Sequence, residues 1–166
     1  MSTSTPSGGR SGGWAVDRSV ARASRQRVHV EHAVHLQHPI EIVSAALLEA
    51  PAKWFPNAVG VHIAGIPVRK KVAIDFGDAA KTSTWAVVPV TWKPTFAQHL
   101  FPAMTGRVAV SPVSKEETRL TVTGMYDPPL GKLGEQLNET VMHKVAERTV
   151  SELAASIAEK LNRAIG

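Results

Sequence analysis

The chain has 166 residues, a formal net charge of +5, 43% hydrophobic and 20% charged residues, and no cysteine. That is about one domain's length with enough chain for a real core, and it excludes disulfides, thiol nucleophiles and cysteine-built zinc sites. No run of about 18 apolar residues occurs, which excludes a membrane-spanning helix. The N-terminus lacks an apolar stretch of signal-peptide length, so a cytoplasmic protein is expected.

The positive charge is unevenly placed. Residues 1–27 hold Arg10, Arg18, Arg22, Arg25 and Arg27 against Asp17, while the rest carries 14 basic and 13 acidic residues. The basicity belongs to a tail, which argues against nucleic acid as the partner of the folded part. The opening MSTSTPSGGRSGG cannot bury enough apolar surface to offset its ordering entropy. Residues 1–26 are predicted to be a disordered, basic, Ser/Gly-rich arm, and residues 27–166 a single domain. Trp14 either docks onto that domain or is incidental to the tail.

From Arg27 the pattern alternates. Val28, Val30, His32, Val34 and Leu36 occupy the even positions of RVHVEHAVHLQ and the odd ones are mostly polar, a half-buried strand with His32 on its apolar face. Pro39 opens a helix at its first position, Pro51 interrupts it, and a short second helical turn stops at Pro56. Strands follow: VGVHI, a bend over Ala64–Pro67, and VRKKVAIDF with Val68, Lys70, Val72, Ile74 and Phe76 in phase. After a turn at Gly77–Lys81 comes TSTWAVVPVTWK, whose facing the pattern leaves open and whose Pro89 suggests an edge or a bulge. A loop with Pro94, Phe96, Phe101 and Pro102, the strand RVAVSPV, a polar hairpin at Ser114–Thr118 and the strand RLTVTGMY complete the β region. From Leu130 to Ile165 there is no proline. Leu133, Leu137, Val141, Val145, Leu153, Ile157 and Leu161 keep helical spacing, which predicts a helix from about residue 132 to 163.

At 1.5 Å per residue that helix is roughly 45 Å long, and six strands about 4.8 Å apart span under 30 Å. The helix is the one element able to cover the apolar face of an antiparallel sheet. The predicted fold class is therefore α+β: six or seven antiparallel strands curved around a long C-terminal helix, with two short helices after the first strand.

In this order the chain resembles the START-like (helix-grip) superfamily, in its polyketide cyclase/dehydrase branch. The resemblance is carried by Val28–Leu36, Pro-Val-Thr-Trp-Lys at 89–93, Leu100-Phe101-Pro102, Arg119-Leu-Thr-Val-Thr-Gly124, Tyr126-Asp-Pro-Pro-Leu-Gly131 and His143-Lys-Val-Ala-Glu-Arg-Thr149. It covers about residues 27–163. It implies a cavity between sheet and helix, in a superfamily that includes lipid carriers, hormone receptors, polyketide aromatase/cyclases and co-chaperones. Activity does not follow from the fold.

Several constellations bear on what such a cavity would hold. His29, His32, His35 and His38 recur every three residues, but on a strand their side chains alternate faces and cannot converge on one ion, so no metal and no cofactor are expected. His32 is either a core or rim histidine satisfied by a neighbour, or a polar group facing a ligand. Lys70 either points inward to bind a carboxylate or phenolate, or lies near a strand end and is solvated with Arg69 and Lys71. Tyr126 offers a phenolic hydroxyl on the apolar face of the last strand. Trp54, Phe55, Trp85, Trp92 and Phe101 are candidate aromatic walls or ordinary core. His143 and Arg148 belong on the flank of the helix, paired with Glu139 or Glu147.

The expected function is non-covalent binding of a small hydrophobic molecule, lipid-like or polyketide-like. His32, Lys70 and Tyr126 supply its polar contacts; Trp92, Phe101, Val122, Val141 and Val145 line its apolar body. Even-numbered residues of the first and last strands face inward. Two other classes remain open: an enzyme resembling aromatase/cyclases, and an interaction module with a closed core. Oligomeric state is not readable from the sequence.

Overall fold

The computed structural model describes residues 27–56, 58–63, 66–95, 103–127 and 139–166, and for 58–63, 66–70, 94, 139 and 141 the backbone only. Strand β1 (Val28–Leu36) leads into helices α1 (Ile40–Glu49) and α2 (Pro51–Trp54). The strands β2 (Ala58–Ile63), β3 (Ile66–Phe76), β4 (Ala80–Lys81), β5 (Ala86–Pro94), β6 (Met104–Pro112) and β7 (Thr118–Tyr126) follow. Helix α3 (Glu139–Ile165) ends the chain. All pairings are antiparallel, in the order β1-β7-β6-β5-β3-β2, with β4 beside β5. This is the α+β sheet-and-helix architecture that the sequence predicts. The arm at 1–26 with Trp14, and the stretch of the C-terminal helix predicted before Glu139, lie outside the described residues.

Even positions of β1, β5, β6 and β7 point to the core over most of each strand. Val30 and Leu36 on β1, Val88 and Val90 on β5, Val108 and Val110 on β6, and Leu120 and Val122 on β7 are all buried, while Glu31, Ala33, Lys93 and Arg107 are exposed. The register settles the facing of β5, which the pattern left open, and shows why Pro89 is tolerated in a central strand. Phe76 pairs with Val90 and Ala80 with Val87, so Pro89 falls where β5 passes from β3 to β4. Its missing N–H is not needed there, and its carbonyl accepts from Gly77 N at 2.9 Å. Pro67 belongs to β3, opposite His62, rather than to a bend. Pairing with β5 begins only at Val72, so β3 has one partner at Pro67. Pro39 is the residue before α1 rather than its first: it is extended, and its carbonyl accepts from Ile42 and Val43 N.

Helix α3 is about 40 Å long at 1.5 Å per residue, enough to cross the sheet. Its buried stripe runs through Met142, Ala146, Thr149, Val150, Leu153, Ala154, Ile157 and Leu161. The predicted Leu153, Ile157 and Leu161 lie on it; nearer the start of the helix the burial moves to Met142 and Ala146, and Val145 is half-buried on the flank. Thr149 is buried on the same stripe, its hydroxyl satisfied by donating to the Val145 carbonyl at 2.8 Å. At the far end of β1, Thr118 Oγ1 donates to the His38 carbonyl at 2.7 Å and ties the start of α1 to β7. Phe55 packs edge-on to Phe76, and Lys160 Nζ donates to the Phe55 carbonyl at 3.4 Å, joining α2 to α3. Among the described residues, no helix is long and apolar enough to cross a membrane.

Candidate functional site

Because pairing partners share a face, the register converts sequence positions into rows across the inner surface. One row reads Val28, Tyr126, Met104, Trp92, Ile74 from β1 to β3. The next reads Val30, Gly124, Gly106, Val90, Phe76, and a third reads His32, Val122, Val108, Val88. The structure thus brings Trp92 and Tyr126 into one row, two strands or about 10 Å apart, with Met104 between them. Both are buried, Trp92 at 5% and Tyr126 at 4% relative exposure. His32 faces inward, half-buried, opposite Val122. It lies four residues along the strand from the Tyr126 row, about 13 Å, so the two polar groups do not meet at one point. Lys70 sits opposite Val59 in the β2–β3 ladder. The side chains of Lys70 and Val141, and Phe101 altogether, lie outside the described residues.

The glycine row explains how Trp92 reaches so far across the sheet. A Cβ on Gly106 would stand 1.9 Å from the Thr123 carbonyl oxygen, so β6 and β7 approach as only glycine permits. A Cβ on Gly124 would meet Met104 Cε at 2.8 Å, Val150 Cγ2 at 3.2 Å and Trp92 Cη2 at 3.3 Å. The indole of β5 therefore extends past β6 to lie over β7, beneath Val150 of α3. Met104, Gly106, Gly124, Ala146 and Val150 shape this end and were not among the site residues read from the sequence. The signal available was the pair of isolated glycines inside strand patterns, which mark close backbone approach.

Trp92 Nε1 is the buried side-chain polar atom left without a hydrogen-bond partner among the described residues. Trp54 shows the ordinary outcome, donating to the Ala46 carbonyl at 2.9 Å. Leaving such a donor unpaired costs about 1–3 kcal/mol. The histidines behave as separate residues: His35 Nδ1 meets Glu117 Oε1 at 2.7 Å, and His29 is exposed. No group of three or more His, Asp or Glu side chains among the described residues is placed to hold a metal ion. On α3, His143 pairs with Glu147 at 3.2 Å and Arg148 with Glu152 at 2.9 Å, both surface pairs one turn apart. Trp85 is exposed and stands apart from the inner face.

No protein-family model and no curated protein matches the chain. Solved structures do. A START superfamily protein from Mycobacterium smegmatis superposes with a TM-score of 0.52 at 15% identity, over 82% of this chain and 98% of that one. The chain has the START-like helix-grip fold. A conserved protein from Geobacillus kaustophilus matches at TM-score 0.51 and 14% identity, over 82% and 97% of the two chains. A hypothetical protein from Helicobacter pylori matches at 0.52 and 10%, over 99% and 100%. In the START-like frame, the row of Trp92 and Tyr126 lies at the end of the sheet where β5 and β7 finish and β6 begins. The connections to β6 and to α3 both attach there.

Proposed function

We propose that this chain binds a small, largely apolar molecule, lipid-like or polyketide-like, between the inner face of its sheet and α3. The binding domain is residues 27–166, and residues 1–26 are an arm outside it. The molecule sits at the end marked by Trp92 and Tyr126. Its apolar body runs toward Val122 and the flank of α3 at Val141 and Val145, with Phe101 as a wall and His32 and Lys70 as more distant polar contacts. The observation that carries this reading is the buried, unpaired indole N–H of Trp92, flanked in its row by Met104 and Ile74. A donor in that position is a cost to the empty protein and a contact to an occupied one. Absence of cysteine is compatible with a reducing cytoplasm as its setting.

Native mass spectrometry of the freshly purified full chain tests the proposal. A co-purified small molecule, released on raising the collision energy, is the expected result. A ligand held at about 100 times its Kd adds roughly 2.7 kcal/mol of stability, which a thermal shift registers. No retained molecule, and no shift with any apolar compound, would overturn it.

A second reading has its own observation. Met104, Val150 and Trp92 close tightly over Gly124, which favours an interior filled by its own side chains and an interaction module acting through its surface. The same mass spectrum, with the protein alone at every energy, supports that reading.

A further inference from the structure

We infer that the bound molecule is held by a neutral carbonyl-type oxygen, of a ketone, ester or amide, accepting a hydrogen bond from Trp92 Nε1. This rests on the binding reading above and adds the chemistry of the contact. An indole N–H donates and cannot accept, so the complementary group must carry a lone pair. Thr118, Thr149, Ser44 and Trp54 each donate to a backbone carbonyl within the fold. Trp92 stands on a strand paired on both sides, and its indole N–H has no hydrogen-bond partner among the described residues.

The surroundings select among acceptors. A carboxylate would bring a full charge between Met104 and Ile74, the row neighbours of Trp92, while Lys93 and Arg107 of the same strands are exposed at positions of the opposite parity. Burying that anion without a cation costs far more than one hydrogen bond returns. A hydroxyl would bring its own hydrogen, and Met104 and Ile74, the row neighbours of Trp92, offer that hydrogen no strong acceptor. A carbonyl accepts without donating and carries no charge. Met104 supplies the adaptable wall: its Cε presses toward Gly124, and an unbranched thioether chain moves aside at low cost.

The test uses three probes on one naphthalene body: 2-acetylnaphthalene, 2-ethylnaphthalene and 2-naphthoate. The full chain, labelled with 15N-tryptophan, is titrated with each while the indole resonances are followed; Trp92 is assigned from the spectrum of Trp92→Phe. The ketone is expected to bind roughly three- to tenfold more tightly than the ethyl compound, the factor one ordinary hydrogen bond supplies. It should move the Trp92 indole proton downfield, while the ethyl compound leaves it in place and the naphthoate binds most weakly. Trp92→Phe should abolish the ketone's advantage, so that the ketone and the ethyl compound bind this variant with equal affinity. If that variant fails to fold, the tryptophan that shifts in the native chain is assigned by selective broadening from a nitroxide-tagged ketone. Equal affinities with an unmoved Trp92 resonance would overturn the inference and leave the binding reading standing. Tightest binding of the naphthoate would overturn it in favour of an anion site. Binding of none, with no co-purified molecule, removes the binding reading and this inference together.

Discussion

The glycine row gives the sharpest forecast of stability, because two chemically identical substitutions on paired residues should differ several-fold in cost. In Gly106→Ala the new Cβ would lie 1.9 Å from the Thr123 carbonyl oxygen and 2.9 Å from its carbon. An ordinary carbon–oxygen contact is about 3.3 Å, so β6 and β7 must part by more than 1 Å at that rung. Parting weakens at least two ladder bonds, each worth about 1 kcal/mol net, and overpacks the layer above by a further 1–3 kcal/mol. The gain from stiffening the unfolded chain, about 0.4–1 kcal/mol, offsets little of this. The expected loss is about 3 kcal/mol or more, or roughly 6–12 °C in Tm for a domain of this size.

Gly124→Ala meets different neighbours. Its nearest contact is the free end of Met104, at 2.8 Å, and Val150 and Trp92 need to yield by a few tenths of an ångström. About 1 kcal/mol of overpacking, largely cancelled by the unfolded-state gain, is expected. Urea denaturation followed by circular dichroism compares the two variants with the native chain. A Gly106→Ala protein within 1 kcal/mol of the native one, or less stable Gly124→Ala than Gly106→Ala, would refute the close-approach argument.

Three further outcomes are expected. Thr118→Val removes the donor to the His38 carbonyl in a fully buried position, and should cost about 1–3 kcal/mol in urea titration by leaving that carbonyl unpaired. Tyr126→Phe should keep the native circular dichroism spectrum while weakening retention of the bound molecule by about 0.5–1.5 kcal/mol, measured by competition with 2-acetylnaphthalene. Deleting residues 1–26 should leave Tm within a few degrees, since an unanchored arm loses no buried contacts; a large drop in a differential scan would mean that Trp14 is docked.

The elements legible in the sequence were those where one periodicity acted alone. β1 alternates cleanly from Val28 to Leu36, and β7 does so from Leu120 to Tyr126; their inward parity is the one the burial shows. β5 was opaque because AVVPVTW is apolar or neutral at both parities. Its facing comes from the partners on either side, Val90 against Gly106 and Phe76. β4, two residues long, has no period to read. The stripe of α3 was legible at Leu153, Ile157 and Leu161, whereas Thr149, polar yet buried on the same line, gave no apolar signal because its hydroxyl is turned back on its own helix. Of the candidate site, the inward facing of Tyr126 followed from alternation alone. The reach of Trp92 did not, since it depends on Gly124, two strands away, whose missing side chain leaves room for the ring. The separation of His32 from Tyr126 is a matter of register, four residues along a shared ladder, and composition says nothing about register.

The two ends of the sheet are built under different constraints, and this bears on how such a chain can diverge. At one end, Thr118 latched to His38, the α1 junction and the filled aliphatic rows bind every residue to several others, so a change there disturbs stability first. At the other, β5 and β7 finish and β6 starts, and the connecting segments attach beside Trp92 and Tyr126. Substitutions and length changes in those segments leave the ladders of the sheet in place. Divergence can therefore proceed at one end while the other preserves the fold. That division gives a physical route by which chains sharing only 10–15% identity keep one architecture.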